Sequence, residues 1–144
     1  DKKRKLVLRD TLEEEVALIK AYPGIQKELL LACKGYKGIV LEGTGLGHAP
    51  ATLLATIKKL CSNSLVVMTS QCIYGRVGMD VYATGRDLLA AGVVPAEDML
   101  AEVAYVKLCW ALGCTKHRQE AKTLFLMPLA GEICERITED AFLC

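Results

Sequence analysis

Apolar residues along this chain fall into short unbroken runs closed by glycine and proline, alternating with stretches of helical spacing. Glu15–Lys20 is a brief apolar run halted by Tyr22-Pro23-Gly24, which predicts a buried strand and a turn. Ile25 to Lys34 carries Ile25, Leu29, Leu30 and Cys33 at helical spacing and stops at Gly35. A second strand is expected over Gly38–Glu42, and a helix over Ala49–Leu60 with Pro50 in its first turn, where the missing N–H costs nothing. Leu65–Thr69 is almost wholly apolar, as a strand covered on both faces should be. Gln71 to Tyr82 has no period and reads as an ordered loop.

Thr84–Ala91 predicts a short helix ended by Gly92, and Val93-Val94 a short fourth strand. Glu97–Leu112 predicts a long helix whose buried face is Met99, Val103, Val106 and Trp110, with Glu97 and Asp98 at the positive end of its dipole. Lys116–Met127 and Pro128–Arg136 predict a closing helix or helix pair. Strand, helix, strand, helix, strand with short links is the pattern of an α/β fold: a three-layer domain around a parallel sheet of about four strands.

Composition fits that picture. The 144 residues make one domain of ordinary size, 52% hydrophobic and 24% charged, with net charge +1 and a pI near 7.7. Such balance gives no electrostatic argument for non-specific nucleic-acid binding, which needs a clustered basic surface. The one basic run, Lys2-Lys3-Arg4-Lys5, reads as a solvated end or connector. Seven cysteines are an odd number, and several lie in apolar helical stretches as Cys109 does; none is paired as C-x-x-C. They are expected to be free thiols in a reducing, cytoplasmic setting. No signal peptide is expected. No run approaches the roughly 20 apolar residues that span a bilayer. The start at Asp1, without Met, is expected to be the middle of a longer protein, with residues 1–14 a connector and 15–144 the domain.

Glu42-Gly43-Thr44-Gly45-Leu46-Gly47-His48 joins a strand end to a helix start. Its G-x-G-x-G spacing is not the G-x-G-x-x-G of a dinucleotide loop. The next strand ends Val67-Met68-Thr69, with no carboxylate for a ribose hydroxyl. A tight turn that brings Thr44 and His48 to the mouth of the sheet is the better reading, since ligands of open α/β sheets bind outside the carboxyl ends of strands. His48 serves there either as a contact or as a packing and capping residue. His48 and His117 are the only histidines, too few for a His-rich metal site, and His117 lies on a polar stretch with no role assigned. Thr69-Ser70-Gln71-Cys72 ends on the same rim. Cys72 as a nucleophile needs His48 and an orienting carboxylate, which nothing in the sequence fixes; an interfacial or buried thiol is the plainer reading. Arg76, Asp80 and Tyr82 give the long loop polar groups. Glu13-Glu14-Glu15 reads as a solvated run.

Several of these stretches resemble one family. Ser70-Gln71-Cys72, Tyr82-Ala83-Thr84-Gly85, Ala91-Gly92-Val93-Val94, Asp98-Met99 and the Glu102–Leu108 helix, together with Val16–Ile25 and Gly38–His48, are similar to the C-terminal domain of type I L-asparaginases over residues 15 to 142. Within the family, Glu42–His48 looks more like the archaeal glutamyl-tRNA(Gln) amidotransferase D subunits, because free asparaginases more often show G-x-G-N here. The resemblance implies a two-domain, dimeric amidohydrolase acting on asparagine or glutamine. Its catalytic threonines, with their Asp and Lys partners, lie in an N-terminal domain whose motifs do not occur in this chain. It implies no cofactor or metal here, a transferase subunit that uses ATP and Mg²⁺, and tRNA as an indirect partner. Thr44, Gly45, Gly47, His48, Asp80 and Tyr82 would then contact the active site of a neighbouring subunit, and Cys72 would be a regulatory or interface residue. A stand-alone asparaginase, a small-ligand module and a dimerisation scaffold are the alternatives.

Overall fold

The computed structural model describes residues 7–135; Lys2–Lys5, Cys144 and the end of the closing segment at Arg136 lie outside them. Four strands, β1 (Val16–Lys20), β2 (Gly38–Gly43), β3 (Leu65–Ser70) and β4 (Val94–Pro95), form one sheet in the order β1-β2-β3-β4, every pair parallel. Parallel neighbours need crossovers, supplied by α1 (Lys27–Leu31), α2 (Leu54–Asn63) and α3 (Ala83–Ala90). All three helices pack on one face, where Leu30, Ile57, Leu60 and Leu88 meet Ile39, Leu41, Val66 and Met68. The alternate strand residues Val40, Leu65 and Val67 point to the other face, covered by α4 (Ala101–Cys114) and α5 (Arg118–Leu126). Period-2 alternation divides each strand between two cores, so β3 is apolar throughout and buried from Leu65 to Thr69. The expected three-layer α/β domain with a small parallel sheet is the observed one.

Four segments differ from the sequence pattern. α1 is a single short piece, and Leu29 is exposed while Ile25, Leu30 and Cys33 are buried; the chain turns out of the helix toward Gly35 at φ 104°. Pro50 precedes a 3₁₀ turn, Ala51–Leu53, before α2 proper begins.

The larger correction is α4. It starts at Ala101, not Glu97, and Glu97 sits before it at φ 60°. Its inward face is Ala101, Ala104, Leu108 and Ala111, while Val106 is 60% exposed. Nearly every position of α4 is apolar, so periodicity alone cannot orient it. Small residues decide: alanines let the helix sit close on the sheet, where a Cβ on Gly38 would lie 2.7 Å from Leu112 and 2.9 Å from Leu108. After α5, residues 127–135 are irregular rather than helical.

That last segment is stapled down by charge. Lys107, on α4 and 8% exposed, donates to the Met127 carbonyl (2.6 Å) and pairs with Glu132. The Glu132 carboxylate also accepts the backbone N–H of Ala130 (2.7 Å) and Leu129 (3.3 Å). At the other end, residues 7–14 lie along α4: Glu13 N–H donates to the Cys109 carbonyl, and Gly113 leaves room for the Thr11 carbonyl.

Candidate functional site

Because all four strands run the same way, their carboxyl ends share one rim, which gathers the turn after β1, the glycine loop after β2, the loop after β3 and the exit of β4. The strand order has no reversal, so the rim lacks the crevice that forms at a topological switch point. What it has is a tightly clamped surface.

The glycine loop is a closed turn. Thr44 and His48 form an isolated antiparallel bridge, with Thr44 N–H donating to the His48 carbonyl and His48 N–H to the Thr44 carbonyl, both at 2.9 Å. A Cβ on Gly43 would lie 2.6 Å from Met68 Sδ and 2.9 Å from the His48 backbone, so only glycine permits this closure. Gly47 sits at φ 92° with Val77 against it, a second position closed to other residues.

The strand after it holds the turn. Ser70 Oγ donates to the Gly45 carbonyl (2.5 Å) and accepts from Cys72 N–H (3.0 Å). Gln71 donates through Nε2 to the carbonyls of Ala21 (2.5 Å) and Glu42 (3.0 Å), tying the ends of β1 and β2 together. Sequence reasoning missed the clamping work of Ser70 and Gln71, since their partners lie up to 50 positions away.

His48 reaches the rim from the loop, and α3 comes to meet it. Its Nδ1 lies 3.1 Å from Thr84 Oγ1, and its ring packs edge-on against Tyr82, centroids 5.4 Å apart. Its Nε2 is buried with no hydrogen-bond partner among the described residues. Thr44, Gly45, Asp80, Tyr82 and Thr84 are exposed and Gly47 is buried. The structure thus brings Thr44, Gly45, Gly47, His48 and Tyr82 into one cluster. Asp80, two residues before Tyr82 in the loop after β3, lines a groove of about 500 Å³ together with Leu46, Gly78, Val81, Pro95 and Glu97. Arg76 fixes the groove's far side by donating to Glu97 through Nε (2.8 Å) and Nη2 (2.5 Å), and to the Cys134 carbonyl through Nη1 (2.6 Å). Arg86 caps the loop by donating to the Asp80 and Val81 carbonyls.

Cys72 is exposed and free, and it does not join His48. Burial pushes the Cys61 thiol up to about 11, away from the rim. His117 is exposed at the start of α5. Among the described residues, no group of three or more His, Cys, Asp or Glu is placed to hold a metal ion, and no helix is long and apolar enough to cross a membrane. A hydroxyl beside an imidazole has the look of a nucleophile and base. However, among the described residues Nε2 lacks the carboxylate that would orient the ring as base, so no catalytic triad is assembled around His48 there.

Fold and rim together define a three-layer α/β domain, polar and pre-shaped at its strand ends. Comparison with known proteins then places it: residues 15–125 match the glutaminase/asparaginase C-terminal domain, and the chain belongs to that family. It is 57% identical over 137 residues to the D subunit of glutamyl-tRNA(Gln) amidotransferase from Pyrococcus furiosus, covering 93% of this chain and 31% of that protein. Its counterpart from Methanothermobacter thermautotrophicus is 53% identical over 134 residues, 91% of this chain and 31% of that protein. Among solved structures, the chain is similar to the thermostable L-asparaginase from Thermococcus kodakarensis (TM-score 0.82, 36% identity, 93% of this chain and 44% of that one). L-asparaginase I from Vibrio cholerae matches at TM-score 0.82 and 31% identity, over 92% of this chain and 41% of that one. The chain spans about a third of the length of the curated relatives it matches.

Proposed function

We propose that this chain is the C-terminal domain of the ammonia-generating D subunit of a glutamyl-tRNA(Gln) amidotransferase. The observation that carries the reading is the 57% identity to such a protein across 93% of the chain, against 36% to a free L-asparaginase. In the whole subunit an activated threonine of the N-terminal domain attacks the side-chain amide of asparagine or glutamine. An acyl-enzyme forms, ammonia leaves, and water releases the acid. The ammonia passes to a partner subunit that converts glutamyl-tRNA(Gln) to glutaminyl-tRNA(Gln); the ATP and Mg²⁺ of that step belong to the partner.

The part played by this domain is to complete a site. Thr44, Gly45, Gly47, His48, Asp80 and Tyr82 stand at the rim of a neighbouring subunit's active centre in a homodimer, and Cys72 lies at that interface, open to a regulatory role. A net charge of +1 suits a domain that leaves the grip on tRNA to its partner. The setting is cytoplasmic, where free thiols are the rule.

The test is ammonia release by the full-length subunit, alone and with its partner subunit and glutamyl-tRNA(Gln). Release that rises when both are added supports the amidotransferase reading. Free asparaginase activity indifferent to them would instead make the protein a stand-alone asparaginase, the reading its structural likeness favours next.

A further inference from the structure

As the neutral imidazole, His48 would have one N–H to place and two positions for it. Nδ1 lies 3.1 Å from Thr84 Oγ1, whereas Nε2 is buried without a partner among the described residues. On Nε2 the hydrogen would be an orphaned buried donor, which folded proteins almost never keep. A buried lone pair left unpaired is the smaller loss. We propose that His48 is held as the Nδ1–H tautomer and donates to Thr84 Oγ1. The hydroxyl hydrogen of Thr84 is then turned away from the imidazole and offered outward. Thr84 thereby becomes the ligand-facing donor of the rim, and His48 its positioning residue.

The surroundings hold the pair in register. The backbone of His48 is locked to Thr44 by two hydrogen bonds, and Tyr82 packs edge-on against the ring. α3 is seated so closely that a Cβ on Gly85 would collide with the Met79 carbonyl. Thr84, in the first turn of that helix, is exposed. A fixed outward O–H suits an acceptor oxygen, such as the carboxylate or amide carbonyl of an amino-acid amide. That last step rests on the amidase reading above; the tautomer rests on geometry alone.

Long-range ¹⁵N–¹H correlation on the 144-residue chain labelled in histidine reads the tautomer directly. The expected spectrum has a protonated Nδ1 and a bare Nε2. Thr84→Val keeps the shape but removes the acceptor, and should dissolve the single tautomer; Thr84→Ser should restore it. A protonated Nε2 in the unaltered chain, or a Thr84→Val spectrum identical to it, overturns the assignment. In the full-length subunit, Thr84→Val should raise KM for the amide substrate by roughly three- to tenfold with kcat little changed, and Thr84→Ser should recover it. An unchanged KM refutes the ligand-facing role. Loss of amidase activity from the unaltered subunit would sink the functional reading and the ligand-facing role with it, while the spectrum still judges the tautomer.

Discussion

Lys107 and His48 are both basic side chains drawn into the body of the domain, yet their surroundings differ in kind. Lys107 is closed off on every side: a carbonyl accepts from it, Glu132 neutralises it, and that carboxylate is itself held by two backbone N–H groups. His48 has one nitrogen engaged by an exposed threonine and the other engaged by nothing among the described residues. A polar group whose partners are all internal belongs to the fold. His48 has instead a buried nitrogen that the described residues leave unpartnered, inside a loop that tolerates only glycine at its tight points, and under the proposed reading its bond to Thr84 serves whatever the rim meets. On that reading the two regions should respond to different perturbations: the staple through stability, the rim through binding.

The largest expected effect checks how α4 lies between them. Leu108→Ala removes a fully buried side chain and should cost about 3 kcal/mol in denaturant unfolding, while Val106→Ala, two residues away, should stay within about 0.5 kcal/mol. Equal costs would mean that the stripe through Val106 is buried as well, and reversed costs that it is the inward face. Next comes the staple. Glu132→Gln leaves Lys107 with the Met127 carbonyl alone and should cost about 2 kcal/mol near neutral pH, discounted from a fully buried pair because Glu132 keeps some exposure.

The same pair sets an acid dependence. Bonding from Lys107, helped by the backbone N–H groups and opposed by burial, holds the Glu132 carboxyl down at about 2 from its ordinary 4.5. Its folded pKa lies below the unfolded one, so its contribution is present in full above 4.5. It is lost as pH falls toward 2. The stability gap between the protein and Glu132→Gln should narrow over that window and stay flat above it; a gap that widened on acidification would contradict the pairing.

At the rim, Gly85→Ala drives a methyl into the Met79 carbonyl and should cost about 1–2 kcal/mol, displacing α3 from the loop and disturbing the His48 ring signals. Thr84→Val should change stability by only about 0.5 kcal/mol, since its hydrogen bond is exposed. A large loss there would make the His48–Thr84 pair a second staple and erase the contrast.

How much of this is legible in the sequence follows the same division. Strands β1 to β3 and the glycine turn announce themselves, because apolar runs closed by glycine have few other ways to fold. The family resemblance points to the domain that the comparisons bear out. Helix α4 defeats a periodicity argument because it is apolar around most of its circumference, so only the spacing of Ala101, Ala104 and Ala111 against the sheet settles its face. Ser70, Gln71 and Thr84 lie in stretches that carry the family resemblance, but their roles give no local signal: each acts on a partner 25 to 50 positions distant, and a hydroxyl or amide in sequence says nothing of what lies across the rim.

The contrast between a closed staple and an open rim comes down to whether this domain is one part of a divided site. The most direct measurement is amidase activity of the 144-residue chain alone, and again after mixing with the separately produced remainder of the subunit. No hydrolysis of asparagine or glutamine by the chain, with activity appearing on mixing and weakened by Thr84→Val, is the expected result. Turnover by the chain alone, unaffected by the remainder, would contradict it.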